Sequence, residues 1–224
     1  MTLVWPIGIL TPQTIGRPYM TRSTAGTTAI SGEEQVVVSP AARWMIRYLN
    51  ITANRRGKII AHDALEVILE GRANPILVPL CEGSRRPFAT GFPFPSVPHS
   101  DNTPFSDSTE YETPAIAVVA NVAAAQGATT MGMTVVDGGD LEPGQHFTIG
   151  ERLYRIRLIT SQDGADYVVT FRPRLREAVA DGARIDFERL WCKCRLLNDD
   201  GLDMDLDMLK RGTFSPIFVE YMGT

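Results

Sequence analysis

Cysteine and histidine are both scarce in this 224-residue chain, with three of each. Cys81, Cys192 and Cys194 are too few, and odd in number, for a disulfide framework. Cys192 and Cys194 would share one face of a strand, but a metal clip needs two further ligands nearby and none is evident. They read as small core thiols. His62, His99 and His146 form no His-x-x-x-His pair, and Cys-x-x-Cys is missing too. There is no Gly-x-Ser-x-Gly elbow and no assignable triad. Asp137-Gly138-Gly139-Asp140 reads as a turn, not a phosphate loop. The expectation is a protein that is not an enzyme, with no catalytic residues, no cofactor and no metal.

Long apolar runs are lacking as well. Ala115 to Ala125 is about half the roughly 18–20 residues that a membrane span needs, and it contains Asn121. The start, Met1-Thr2-Leu3-Val4-Trp5-Pro6, has neither a basic region nor a cleavable apolar core, so synthesis and folding in the cytoplasm are expected. Excess charge of either sign is missing: 22 basic and 26 acidic residues leave −4, which argues against a whole-surface grip on nucleic acid. With 44% apolar and 21% charged residues, the chain can build a core, as one large domain or two small ones.

What is present changes character along the chain. Pro6, Pro12 and Pro18 suit an extended arm, and Glu33–Val38 a short strand. Ser39 as a cap, Pro40 at the first helical position and Ala42, Met45, Ile46 and Leu49 at helical spacing predict a first helix. A second is predicted over Lys58–Glu70, with Ala61, Leu65, Ile68 and Leu69 on one face and Gly71 as its stop. Ile76–Leu80 reads as a strand. From Pro114 onward, strand candidates at Ile116–Val122, Met131–Val136, Phe147–Ile149, Leu153–Ile159, Tyr167–Phe171, Arg184–Leu190, Cys192–Leu197 and Phe214–Tyr221 alternate with turns. The Gln162–Ala165 stretch signals a hairpin. The expected fold is α+β and mostly β. It divides into an N-terminal α+β region with two helices (1–81), a Pro-rich loop (82–113) and a small β-barrel or β-sandwich (114–224).

The Pro-rich loop places Phe88, Phe92, Phe94 and Phe105 between prolines. Proline lowers the entropy lost on docking, and aromatics give contact area at low rotamer cost. These four are the candidate subunit-interface residues; the other reading is a loop folded over its own core. Asp199, Asp200, Asp203, Asp205 and Asp207 suggest either the wet face of a half-buried strand or a cation site. A calcium ion, however, needs about six to eight oxygens on a turn, and the spacing fits no EF-hand. Asp137 with Asp140, or Glu177 with Asp181, can be posed as carboxylate pairs, with nothing to raise them above surface charge. Trp5, Trp44 and Trp191 could stack on sugar rings or fill a core.

Several stretches recur in a fixed order: Ser31–Val37 followed by Arg43-Trp44; Leu69-Glu70-Gly71-Arg72-Ala73-Asn74; Gly127-Ala128-Thr129; Leu141-x-Pro143-Gly144-x-x-Phe147-x-Ile149-Gly150; and Arg172-Pro173-x-Leu175-Arg176. Together they resemble the tail proteins of siphophages and gene transfer agents, a loose family of distal tail or baseplate-type proteins. The resemblance implies a structural virion protein, a homo-oligomeric ring of commonly six copies. That ring would join tail tube to tip or hub proteins, with DNA passing through its channel, in a tail made in the bacterial host cytoplasm. It implies no catalytic residues. The alternative function is a carbohydrate-binding module of a tail or cell-surface assembly.

Overall fold

A computed structural model describes residues 2–17, 19–25, 36–81, 85–87, 96–97, 103, 106, 111–112 and 116–223. They fall into two compact units. The first comprises Met1–Cys81, Glu151–Leu153 and Trp191–Thr224; the second comprises Glu82–Gly150 and Tyr154–Leu190. In chain order the elements begin with β1 (Leu3–Val4), β2 (Thr14–Gly16), β3 (Tyr19–Ala25), β4 (Val36–Leu49), β5 (Ile51–Ala53), α1 (Arg56–Leu69) and β6 (Ile76–Pro79). Next come β7 (Ser96–Val97), β8 (Tyr111–Glu112), β9 (Ala117–Ala120), β10 (Thr130–Asp137), β11 (His146–Ile149), β12 (Arg152–Asp163), β13 (Asp166–Arg172) and β14 (Arg184–Ile185). The chain closes with β15 (Trp191–Leu196), β16 (Gly212–Phe214) and β17 (Ile217–Glu220). The protein is mostly β, and α1 is the one helix among the described residues.

The expected first helix is therefore strand β4. Trp44, Ile46 and Tyr48 are fully buried, with Arg43, Met45 and Arg47 more exposed between them, a period of two rather than 3.6. Pro40 does not start a helix. It falls where the pairing of β4 with β3 shifts register, between Arg22↔Ser39 and Met20↔Arg43, and a bulge is a place where a strand tolerates proline. The sheet of the first unit runs β1-β6-β15-β17-β4-β2, with β3 also on β4. Only β1 and β6 are parallel within it. Its core centres on Trp5, whose ring meets Tyr48 at 5.6 Å and Phe218 at 5.4 Å, both edge-on. Buried polar tips find partners: Trp5 Nε1 donates to Leu10 O (3.0 Å), Trp44 Nε1 to Leu153 O (2.8 Å), and the Tyr48 hydroxyl to Pro79 O.

The second expected helix is present as α1. Its stop is built from several residues. Glu70 (φ 47°) and Gly71 (φ 67°) turn left-handed, and a Cβ on Gly71 would meet Asp199 Oδ1 at 2.9 Å. The Arg72 N–H donates to that same oxygen, and Asn74 Nδ2 donates to the Ile68 carbonyl at 2.8 Å.

In the second unit one sheet runs β11-β12-β13-β10-β9-β14 and curls until its ends meet, because Thr148 and Asp186 exchange backbone hydrogen bonds of 2.8 and 2.9 Å. The result is a nearly closed six-stranded barrel. Phe147 sits in its core, against Tyr154 (5.5 Å), Phe171 (5.6 Å) and Phe187 (5.7 Å). The β12–β13 hairpin turns at Gly164 (φ 58°) and Ala165, as the sequence predicts.

Other expectations need correction. The strand expected over Arg184–Leu190 shrinks to β14. Pro216 splits the last strand, so β16 pairs with β5 while β17 enters the main sheet. Within the Pro-rich stretch, where no element is expected, Ser96 pairs with Glu112 and Val97 with Tyr111. The aspartate run 199–207 forms no strand: 199–202 turn, and 203–207 carry no regular element. Asp207 Oδ1 accepts the Arg211 N–H (2.7 Å) around a left-handed Lys210. Only Leu202 is buried, while Leu206, Met208 and Leu209 are exposed, so no apolar face exists to hold a strand.

Candidate functional sites

Helix α1 carries more apolar surface than its sheet covers. His62, Leu65 and Leu69 are buried. On another side Ile60, Ala64, Val67 and Ile68, spaced i, i+4, i+7, i+8, form an exposed stripe, with Val67 at 75% exposure. Of the residues expected to pack, Leu65 and Leu69 do so. Ile68 belongs to the exposed stripe.

Between these two faces lies a charged flank. The His62 ring is wedged against Phe214, edge-on at 4.7 Å, and is 4% exposed. Its Nε2 lies 2.7 Å from the Leu202 carbonyl. A carbonyl only accepts, so Nε2 is assigned the proton. Nδ1 then points outward, 3.2 Å from Asp63 Oδ1. One ligand atom each from His62, Asp63 and Glu66 lie within 4.8 Å of one another, the one such group of metal-capable side chains among the described residues. This cluster was missed in the sequence. The available signal was His62 and Glu66 at i, i+4 on a predicted helix, the spacing that puts two side chains on one side.

In the second unit a cleft of about 510 Å³ is lined by Val135, Asp137, Gly139, Asp140, Gly164 and Tyr167, among others. Asp137 and Asp140, one of the two carboxylate pairs posed from sequence, both reach it. Asp140 is already engaged: the Tyr167 hydroxyl donates to it (2.7 Å) and accepts from Gln162 Nε2 (2.8 Å). Burial, and then Asp140, push the Tyr167 phenol above its ordinary value, so it stays a donor. No histidine, serine or cysteine is among the described residues lining the cleft. Glu177 and Asp181 are exposed on the stretch between β13 and β14.

Cys192 and Cys194 are fully buried free thiols, as expected, and burial, with help from Cys192 and Glu220, pushes the Cys194 thiol up. Trp5 and Trp44 are buried and cannot stack on a sugar; Trp191 is half-buried. Asp199 and Asp207 are occupied with backbone groups of the turns they hold. His146 is buried at the start of β11. Phe88, Phe92, Phe94, Phe105 and His99 lie outside the described residues. The chain matches no protein-family model and no curated protein.

Proposed function

We propose that this chain is a structural subunit of a bacteriophage-type tail, one copy of a ring at the distal end that joins tube to tip or baseplate. The observation that carries the reading is the exposed stripe Ile60, Ala64, Val67 and Ile68 on α1. A row of apolar side chains on the outer face of a helix is a surface suited to a neighbouring subunit. A ring needs such a surface on every copy, meeting a different patch on the next. Support also comes from what the tail-like motifs do in this chain. Leu69–Asn74 ends α1, Leu141–Gly150 makes a turn and places Phe147 in a core, and Leu175 is buried. These are architectural tasks. In the same reading Phe88, Phe92, Phe94 and Phe105 add a second contact from the Pro-rich stretch, and the net charge of −4 suits a channel that DNA crosses without being gripped. The ring, commonly of six copies, is made in the bacterial host cytoplasm and resides in the virion tail.

The test is the state of association. Light scattering and negative-stain imaging of the full chain are expected to show closed rings. The double variant Ile60→Lys, Val67→Glu is expected to give monomers with unchanged circular dichroism. A wild-type chain that stays monomeric well above micromolar concentration, or rings that survive the double variant, would overturn the proposal.

A further inference from the structure

We propose that His62, Asp63 and Glu66 bind one divalent transition-metal ion of the Zn²⁺ class on the flank of α1. The three ligand atoms converge within 4.8 Å. Ligands about 2.0–2.2 Å from a tetrahedral ion stand roughly 3.3–3.6 Å apart. The 3.2 Å between His62 Nδ1 and Asp63 Oδ1 is close to that spacing. Glu66, one helical turn beyond His62, supplies the third ligand from an exposed, adjustable side chain.

A second, independent feature points the same way. Metal-ligating histidines typically donate their other ring N–H to a backbone carbonyl or carboxylate, which fixes the tautomer and aims the ring. His62 does this through Nε2 to Leu202 O at 2.7 Å, and Phe214 holds the ring from the side. That bond leaves the Nδ1 lone pair directed at a carboxylate, with a second carboxylate beside it. With the proton assigned to Nε2, Nδ1 and the two carboxylates are three acceptors facing one another, an arrangement that a cation relieves. One imidazole with two carboxylates suits Zn²⁺ first, and Mn²⁺ more weakly; the missing thiolate argues against Cu⁺. Asp63 is 65% exposed in its side chain, so water can complete the coordination. A bound ion would polarise the His62 N–H and tighten its bond to Leu202, clamping the 199–207 stretch onto α1. None of this depends on the ring.

The experiment is a calorimetric titration of tag-free, chelator-treated full-length protein with ZnCl₂, with MnCl₂ and CaCl₂ as comparators. One Zn²⁺ per chain and a raised Tm are expected. Glu66→Gln and Asp63→Asn alter exposed side chains and should fold, as circular dichroism can verify. Each should weaken binding by more than the roughly 10- to 100-fold that loss of an outer partner costs. Absence of a stoichiometric Zn²⁺ site overturns the proposal, as does a site that both variants leave intact. If wild type binds no Zn²⁺ while Asp63→Asn lowers Tm, a proton occupies Nδ1 and the cluster is an ion pair only.

Discussion

The barrel and the first unit are tied together over different lengths of chain. Barrel hydrogen bonds span short separations: 5 residues from Gln162 to Tyr167, 32 from Thr134 to Asp166, 45 from Asn121 to Asp166. The first unit joins its two ends: Trp44 N–H to Glu220 Oε2 spans 176 residues, and Asn50 N–H to Ser215 Oγ spans 165. Closing long loops costs entropy before any contact rewards it. The barrel can therefore assemble from two neighbouring segments separated by three residues, while the main sheet stays incomplete until β17 inserts between β15 and β4.

Truncation after Lys210 should separate the two units most sharply. It removes β16 and β17 and with them Phe218, a fully buried ring whose loss alone is worth about 3–5 kcal/mol. Hydrogen exchange is expected to show lost protection in β4, β6 and β15 with β10 and β13 still protected. Equal loss in both would mean that the two units unfold as one.

A smaller effect probes the barrel alone. A Cβ on Gly132 would lie 1.9 Å from Asn121 Oδ1. Gly132→Ala should cost about 1–3 kcal/mol by urea denaturation, and adding Asn121→Ala should recover most of it. No recovery would show that the backbone, not the asparagine, demands glycine there.

The smallest effect belongs to the first unit and depends on pH. Burial raises the Glu151 carboxyl, but hydrogen bonds from Lys193 (2.6 Å) and Thr2 (2.8 Å), with the charges of Lys193 and Arg152, outweigh it and hold the group below its ordinary value. A depressed folded value adds stability that is present above the ordinary glutamate pKa and lost as pH falls through the lowered one. Lys193→Met should therefore cost under about 1 kcal/mol at neutral pH, with the difference from wild type vanishing in acid. A gap that persists in acid would assign the loss to packing of the lysine stem.

The barrel's strands were legible because they alternate and their turns carry Gly144 and Gly164 at positive φ, but whether they close as a barrel or pack as a sandwich was not, nor that β15 and β17 leave them for the other sheet. The end of α1 was legible for the same reason, at Gly71. The β4 segment was not. Ala42, Met45, Ile46 and Leu49 satisfy a helical period, and Ser39-Pro40 imitates a helix start. What settles the matter is Trp44, Ile46 and Tyr48 packing against partners more than a hundred residues away, such as Leu153 and Phe218. No local window contains that information. Likewise, the pairing of β15 with β6 and of β17 with β4 is not a property of either segment alone. The flank of α1 was half legible: His62 and Glu66 share a side by spacing, but only the fold brings the Leu202 carbonyl to the ring.

The three thiols differ sharply in access, and that has a practical consequence. Cys192 and Cys194 are sealed in the core, and the raised Cys194 thiol also keeps little thiolate, whereas Cys81 is exposed at the end of the first N-terminal segment. A maleimide dye added to the native protein would mark one position per chain without any engineered cysteine. In a closed assembly those dyes would stand at equal intervals around an axis. Depolarisation of their fluorescence by energy transfer between identical dyes would then count subunits in solution, where an image on a grid could count them only once adsorbed.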